Sequence, residues 1–341
     1  MKMILLSTLA VILVVGVISS FVLTRDGSLK TPVGTGTVTI DASTFEAFPL
    51  PDYAAAFVDD DYKSYFIEVA PGIKMHILEV GTGQPVYMQH GVPTSGFLNR
   101  KVADALPRDQ FRVIMPTLIG LGFSSKVPAS QITLENQIAW TNTALTKLAL
   151  KDVIFVGQDW GGPIGMGALA RSPEMASGAV ILNTVLDAPK VDREIALPLK
   201  IVNTPIVGEL FLEGVVSIFN QLAGLQKDPA SMPADVIALY AKPVQDSGNA
   251  KGPLALTRMA VTGPDHPNAH HFVAIEAYLA DWNHPTEIVW GLADPILGKR
   301  LSDMTPLFPN AEVTKLDQGH FLQEEAPKDV AAAIQRVADQ L

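Results

Sequence analysis

The run Val153-Ile154-Phe155-Val156-Gly157-Gln158-Asp159-Trp160-Gly161-Gly162 constrains this chain more than any other stretch. Its aliphatic and aromatic first half predicts a buried strand. The Gly-x-Asp-x-Gly that follows predicts a sharp turn into a helix, with the central side chain left standing above the sheet. Glycine is needed on both sides because the strand and helix backbones pass too close for a Cβ. The exposed residue is Asp159, and this narrows the chemistry. A carboxylate attacking an acyl group gives a labile anhydride, whereas attack on a saturated carbon gives an alkyl ester and expels a leaving group.

Short apolar runs at Phe111 to Met115 and Gly178 to Leu182 flank this strand, and Thr133 to Leu148 has the spacing of a crossover helix. Strand, crossover helix and strand in repetition predict a mostly parallel sheet with helices on both faces. Tyr65 to Val69 and Lys74 to Val80, split by Pro71-Gly72, predict an opening hairpin, and Pro85 to Gln89 a further strand. The rhythm breaks between Leu186 and Trp282, where prolines punctuate an apolar, helical pattern through Val207, Leu210, Phe211, Val215, Ile218, Phe219 and Leu222. This stretch is expected to form a helical cap inserted over the sheet's carboxyl edge. The sheet resumes at Glu287 to Trp290 and Glu312 to Leu316. The chain closes with a helix whose apolar face is Val330, Ile334, Val337 and Leu341. The expected organisation is an α/β core over 62–185 and 286–341 with a cap over 186–285.

Before the core lie two other segments. Met3 to Thr24 is an uncharged, mostly aliphatic run behind Lys2, long enough to cross a bilayer as a helix. Residues 1–24 are expected to be a transmembrane signal anchor that exports the domain behind it, with secretion after cleavage as the alternative. Residues 25–61, rich in Pro, Gly and Thr, are expected to be a tether with little structure. A net charge of −10 argues against a nucleic-acid partner, and the absence of cysteine excludes disulfides, thiolate metal sites and a thiol nucleophile.

Three loops after expected strands carry the candidate groups: Asp159, Asp294 in Gly291-Leu292-Ala293-Asp294-Pro295, and His320 in Asp317-Gln318-Gly319-His320-Phe321. Loops at the carboxyl ends of strands converge on one crevice in an open α/β sheet. His320 is expected to take a proton from the water that hydrolyses the Asp159 ester, with Asp294 holding the imidazole. The backbone N–H groups of Val92 and Trp160 are the expected oxyanion donors, each worth about 3–4 kcal/mol. No cofactor is called for. His266, His270 and His271 sit close enough in sequence to suggest a metal, but Pro267 and the lack of a glutamate in an H-E-x-x-H pattern favour a solvated surface.

With these residues in view, the chain resembles the haloalkane dehalogenases of the α/β-hydrolase superfamily. The resemblance runs from about Tyr65 to Leu341. It rests on His90-Gly91-Val92-Pro93-Thr94-Ser95, Leu118-Ile119-Gly120-Leu121-Gly122-Phe123-Ser124, Gln158-Asp159-Trp160-Gly161-Gly162 and Asp317-Gln318-Gly319-His320-Phe321. It implies the α/β-hydrolase fold, with nucleophile, acid and histidine in that chain order. In such enzymes the aspartate displaces halide, and the adjacent tryptophan donates its indole N–H to the departing ion, a role Trp160 matches. The placement of Asp294 is similar to the subgroup whose acid follows the strand after the cap. Asn183 stands where another subgroup carries its acid. The chain departs from the family at the second halide donor: Val92 takes the place of an asparagine, and no tryptophan lies between Leu186 and Asp281.

The resemblance implies a small apolar halogenated substrate and water. An epoxide hydrolase with the same Asp-His-Asp set is the alternative, with Tyr240 and Tyr278 as candidate proton donors. A membrane-tethered binding protein without turnover is the reading from another class.

Overall fold

The computed structural model describes residues 25–192, 197–210 and 217–341, with the backbone alone for 197–199. Ten strands form one sheet: β1 (Thr37–Ile40), β2 (Ser43–Ala47), β3 (Lys63–Ala70), β4 (Ile73–Gly81), β5 (Gln84–Gln89), β6 (Phe111–Pro116), β7 (Val153–Asp159), β8 (Ala176–Thr184), β9 (Thr286–Gly291) and β10 (Glu312–Leu316). Their spatial order is β1-β2-β3-β4-β6-β5-β7-β8-β9-β10. From β6 to β10 every pair is parallel, and from β1 through the β4–β6 pair every one is antiparallel. After β5 the chain steps to one side, to β6, and later returns to the other side of β5 as β7. The strand order therefore reverses between β5 and β7, and ligands bind at such a switch point, outside the carboxyl ends of the strands.

The longer helices are α1 (Leu134–Lys147), α2 (Gly161–Ala170), α3 (Ala234–Gln245), α4 (Ala269–Ala280) and α5 (Pro327–Ala338). Side chains alternate across the sheet, as a pleated strand requires. On β7, Phe155 joins the core under α1 and α2, while Ile154 and Val156 join the core under α5. Thr133 caps α1 by accepting from the Asn136 N–H, and Lys147 lies in its last turn, where the helix dipole favours a cation. On α5, Val330, Ile334 and Val337 are buried as expected, but Leu341 lies beyond the helix and is 55% exposed.

Three expectations about organisation change. The segment expected as a tether contributes β1 and β2 to the sheet, and the Lys74 ammonium pairs with Glu46 on β2 at 2.5 Å. Half-buried Val38 and Phe45 pack against the core, so this Thr-rich stretch has one apolar face. The last helix of the expected cap, α4, packs on α2 through Phe272, Ile275 and Leu279 and so flanks the sheet. The rest of the insertion between β8 and β9 is helical in short pieces, among them Leu197–Asn203, Val207–Glu209, a 3-10 turn over Ile218–Leu225, and α3. Phe219 and Leu222 are buried, whereas Val207 and Leu210 are exposed; Phe211 and Val215 lie outside the described residues. The expected anchor over Met3 to Thr24 also lies outside them, and no helix among the described residues is long and apolar enough to cross a membrane.

Candidate active site

Asp159 ends β7 with φ at +50°, in the left-handed region that a side chain enters only at a cost of roughly 1–3 kcal/mol. The neighbours show why the turn must be this tight. A Cβ on Gly161 would stand 2.1 Å from the Gln89 carbonyl oxygen, and one on Gly91 would stand 2.3 Å from Asp159 Oδ1. The Thr184 hydroxyl donates to the Asp159 carbonyl at 2.6 Å and holds the strained residue in place.

Oδ1 of Asp159 accepts from the Val92 N–H at 2.8 Å, and the Trp160 backbone N–H also bonds this carboxyl. Val92 is aimed by His90, whose Nδ1–H donates to the Gly91 carbonyl at 2.7 Å while Nε2 accepts from the Leu118 N–H at 3.0 Å. These two bonds need a neutral ring, and burial pushes the His90 pKa down to about 4.

The other carboxyl oxygen, Oδ2, lies 3.7 Å from His320 Nε2. His320 Nδ1 is 2.8 Å from Asp294 Oδ2, so the two loops picked out in the sequence lie together beside the elbow. Asn183, not assigned a role from sequence, donates to the same Asp294 oxygen at 2.8 Å and brackets Gly291 through both its carbonyl and its N–H. Asp294 Oδ1 accepts from the Ile296 N–H at 2.7 Å.

Burial pushes the Asp159 carboxyl up, and the facing His320 and the two backbone N–H groups only partly offset it. Burial opposes charge on His320 as well, but there Asp294 and then Asp159 outweigh it, so the ring is more basic than usual. Asp294 is held below the ordinary carboxylate range: burial raises it, and His320 overcomes that.

The insertion reaches this site through the histidine loop. The His320 N–H donates to the Leu225 carbonyl at 3.0 Å, and the Gln226 side chain pairs with both backbone groups of Phe321. Trp160 is half-buried against the core, and its indole N–H donates to no described residue. The indoles of Trp282 and Trp290 are committed to Thr286 and Gly298. Tyr240 is fully buried and donates to Glu324 at 2.8 Å. Tyr278 packs edge-on against Trp282 in the layer of α4. Of the three histidines weighed for a metal, His266 accepts from the Asn268 N–H, His270 bonds the Pro267 carbonyl, and His271 is buried rather than solvated.

A family profile described as alpha/beta hydrolase fold matches residues 84–201. Over 282 residues, 80% of this chain and 87% of its relative, the sequence is 32% identical to a cis-3-alkyl-4-alkyloxetan-2-one decarboxylase of Shewanella oneidensis. This chain is an α/β hydrolase. The hydrolase is also 28% identical to haloalkane dehalogenase 2 of Mycobacterium bovis, over 76% of its own length and 90% of that enzyme's. Among solved structures it superposes on haloalkane dehalogenase DatA of Agrobacterium tumefaciens with a TM-score of 0.74, at 24% identity, covering 84% of this chain and 99% of that one. The fold and the kinship with haloalkane dehalogenases expected from the motifs are thus both found. In such a hydrolase, a carboxylate fixed by backbone donors and faced by a His–Asp pair can attack carbon and then be released by water.

Proposed function

We propose that this hydrolase displaces a leaving group from a saturated carbon by attack of Asp159 Oδ2, and that halide is that group. One observation carries the reading: Asp159 Oδ1 is held by backbone N–H while Oδ2 is left facing His320, which is backed by Asp294. The carbon–halogen electron pair leaves with the halide, to which Trp160 offers its indole N–H, a donor with no acceptor function. Esterification removes the negative charge that Asp159 presents to His320. The imidazole then becomes less basic and gives up its proton more readily, as a general base for water must. Water attacks Cγ of the ester, and the charge that develops on Oδ1 falls where the Val92 and Trp160 N–H groups already point. Collapse releases the alcohol and restores Asp159.

The epoxide alternative needs a proton donor over the alkoxide. Tyr240 is tied to Glu324, and Tyr278 packs with α4 on the flank of the sheet. A second reading draws on the decarboxylase relative. Attack of Asp159 on the saturated ring carbon that carries the ring oxygen of a β-lactone would break that carbon–oxygen bond and release a carboxylate. Loss of carbon dioxide from that intermediate would form an alkene and expel Asp159, with no second halide donor required. The kinship at 32% identity and Val92, whose side chain offers no hydrogen-bond donor, favour it.

Mass spectrometry of His320→Phe after incubation with haloalkanes, epoxides and β-lactones tests these readings together. A stable alkyl adduct on Asp159 with stoichiometric halide release is expected. Carbon dioxide and alkene from lactone alone would move the assignment to decarboxylation, and no adduct from any class would overturn the alkyl-ester mechanism. The membrane anchor over residues 1–24 is part of the proposal, and recovery of the full chain in the membrane fraction after a high-salt wash is its test.

A further inference from the structure

Gln158 immediately precedes the nucleophile, yet none of the steps above uses it. Its side chain is fully buried, and its carboxamide lies against the base. Nε2 of Gln158 is 3.1 Å from His320 Nε2 and donates to the His320 carbonyl oxygen at 3.2 Å. That carbonyl can only accept, so it fixes the NH2 end of the amide on this side. The other end, Oε1, is buried and accepts no hydrogen bond from a described residue.

His320 meets Asp294 through Nδ1, so in the neutral ring the proton sits on Nδ1 and Nε2 carries a lone pair. The second N–H of Gln158 is directed at that lone pair. A proton on Nε2 would set two donors against each other at 3.1 Å. The charged groups facing the ring are Asp294 from the loop after β9 and Asp159 from the elbow, and both favour the imidazolium. The other charges close by in sequence or packing are engaged elsewhere. Glu325 accepts from the Gly319 and Asp228 N–H groups, and Asp317 pairs with Lys227 from the insertion.

We infer that Gln158 is a positioning residue. Its carboxamide, pinned by the His320 carbonyl, opposes a proton on His320 Nε2 and keeps that nitrogen aimed at the elbow until water takes the amide's place. Only the arrival of water rests on the hydrolytic reading; the effect on the ring does not. Without that donor, an imidazole flanked by two carboxylates would hold its proton to a still higher pH.

The test follows the His320 ring by NMR in the full chain with carbon-13-labelled histidine and no substrate, its signal assigned by its loss in His320→Phe. Gln158→Met keeps the length of the side chain and removes the donor. Gln158→Glu replaces the donor with a carboxylate. The midpoint of the titration is expected to rise by about one pH unit in the Met variant and further in the Glu variant. In turnover, the acid limb of kcat moves up by the same amount, so below it ester hydrolysis slows about tenfold per unit, while single-turnover alkylation of Asp159 keeps its rate. If the Met variant fails to fold, Gln158→Leu, which likewise lacks a donor, decides in its place. An unchanged midpoint in the folded variants overturns the inference. Because the titration needs no substrate, a failure to release halide would sink the proposed reaction and leave this result standing.

Discussion

Asp294 Oδ2 takes two hydrogen bonds, from His320 and from Asn183, and Asn183 is the one sequence could not supply. It stands where a related subgroup carries its acid, which marked the position, but its partner comes from another strand and that contact has no signature in local spacing. A hydrogen bond to a charged group is worth about 1.5–3 kcal/mol. Asn183→Leu is therefore expected to lower kcat by roughly ten- to a hundredfold, with the protein still folded by circular dichroism. The raised basicity of His320 sets a direction for pH. While Asp159 is still a free carboxylate the ring holds its proton to a pH above the ordinary histidine value, so in the substrate-free enzyme its NMR titration should pass its midpoint above 6.5. A substrate-free midpoint below that value would contradict the pairing of His320 with Asp294 and Asp159. The elbow, the acid loop and the histidine loop were legible because each is a short motif behind an apolar run. Gln158 was legible only as a spacer, since its contact with His320 crosses from β7 to the loop after β10.

Elements tell a similar story. β3 through β10 could be placed from apolar runs and their punctuation. β1 and β2 could not, because Thr and Ser mask a weak alternation in which Val38 and Phe45 are half-buried and Ile40 alone is buried. These two strands cover the edge of β3, and an uncovered edge is a template for pairing with another chain. A chain cut to begin after Ala47 should unfold at a lower temperature and self-associate at concentrations where the longer chain is monodisperse by light scattering. β4 carries a different consequence. His76 is fully buried among Phe48, Phe66, Phe97 and Phe123, and burial pushes its pKa down to about 3. Unfolded, the ring takes a proton near 6.5; folded, it refuses one until about 3. Between those values the unfolded state binds the extra proton, so stability falls as pH falls through that window. His76→Phe should flatten the acid side of a plot of urea midpoint against pH.

Across the molecule, one buried charge cluster joins parts far apart in sequence. Glu324, four residues beyond the base, pairs with Arg100 at 2.6 Å and Lys101 at 2.8 Å, and accepts from Tyr240 on α3. Removing one partner of such a buried set leaves uncompensated charge, at a cost of about 3–5 kcal/mol. Glu324→Leu should lower the denaturation midpoint accordingly and also disturb His320, which a Lys101→Leu change at the exposed end should not. The overall architecture was readable because parallel βαβ units leave a strong rhythm. The insertion's division of labour was not, because helical spacing is the same whether a helix roofs a pocket or, like α4, flanks the sheet.

The backbone of Leu225 and the side chain of Gln226 grip the loop that carries His320. The inserted segment and the hinge-pin of the proton chemistry are thereby one mechanical part. Exchanging that segment for another would retune the catalyst's clock through the histidine loop, even with every catalytic side chain left in place.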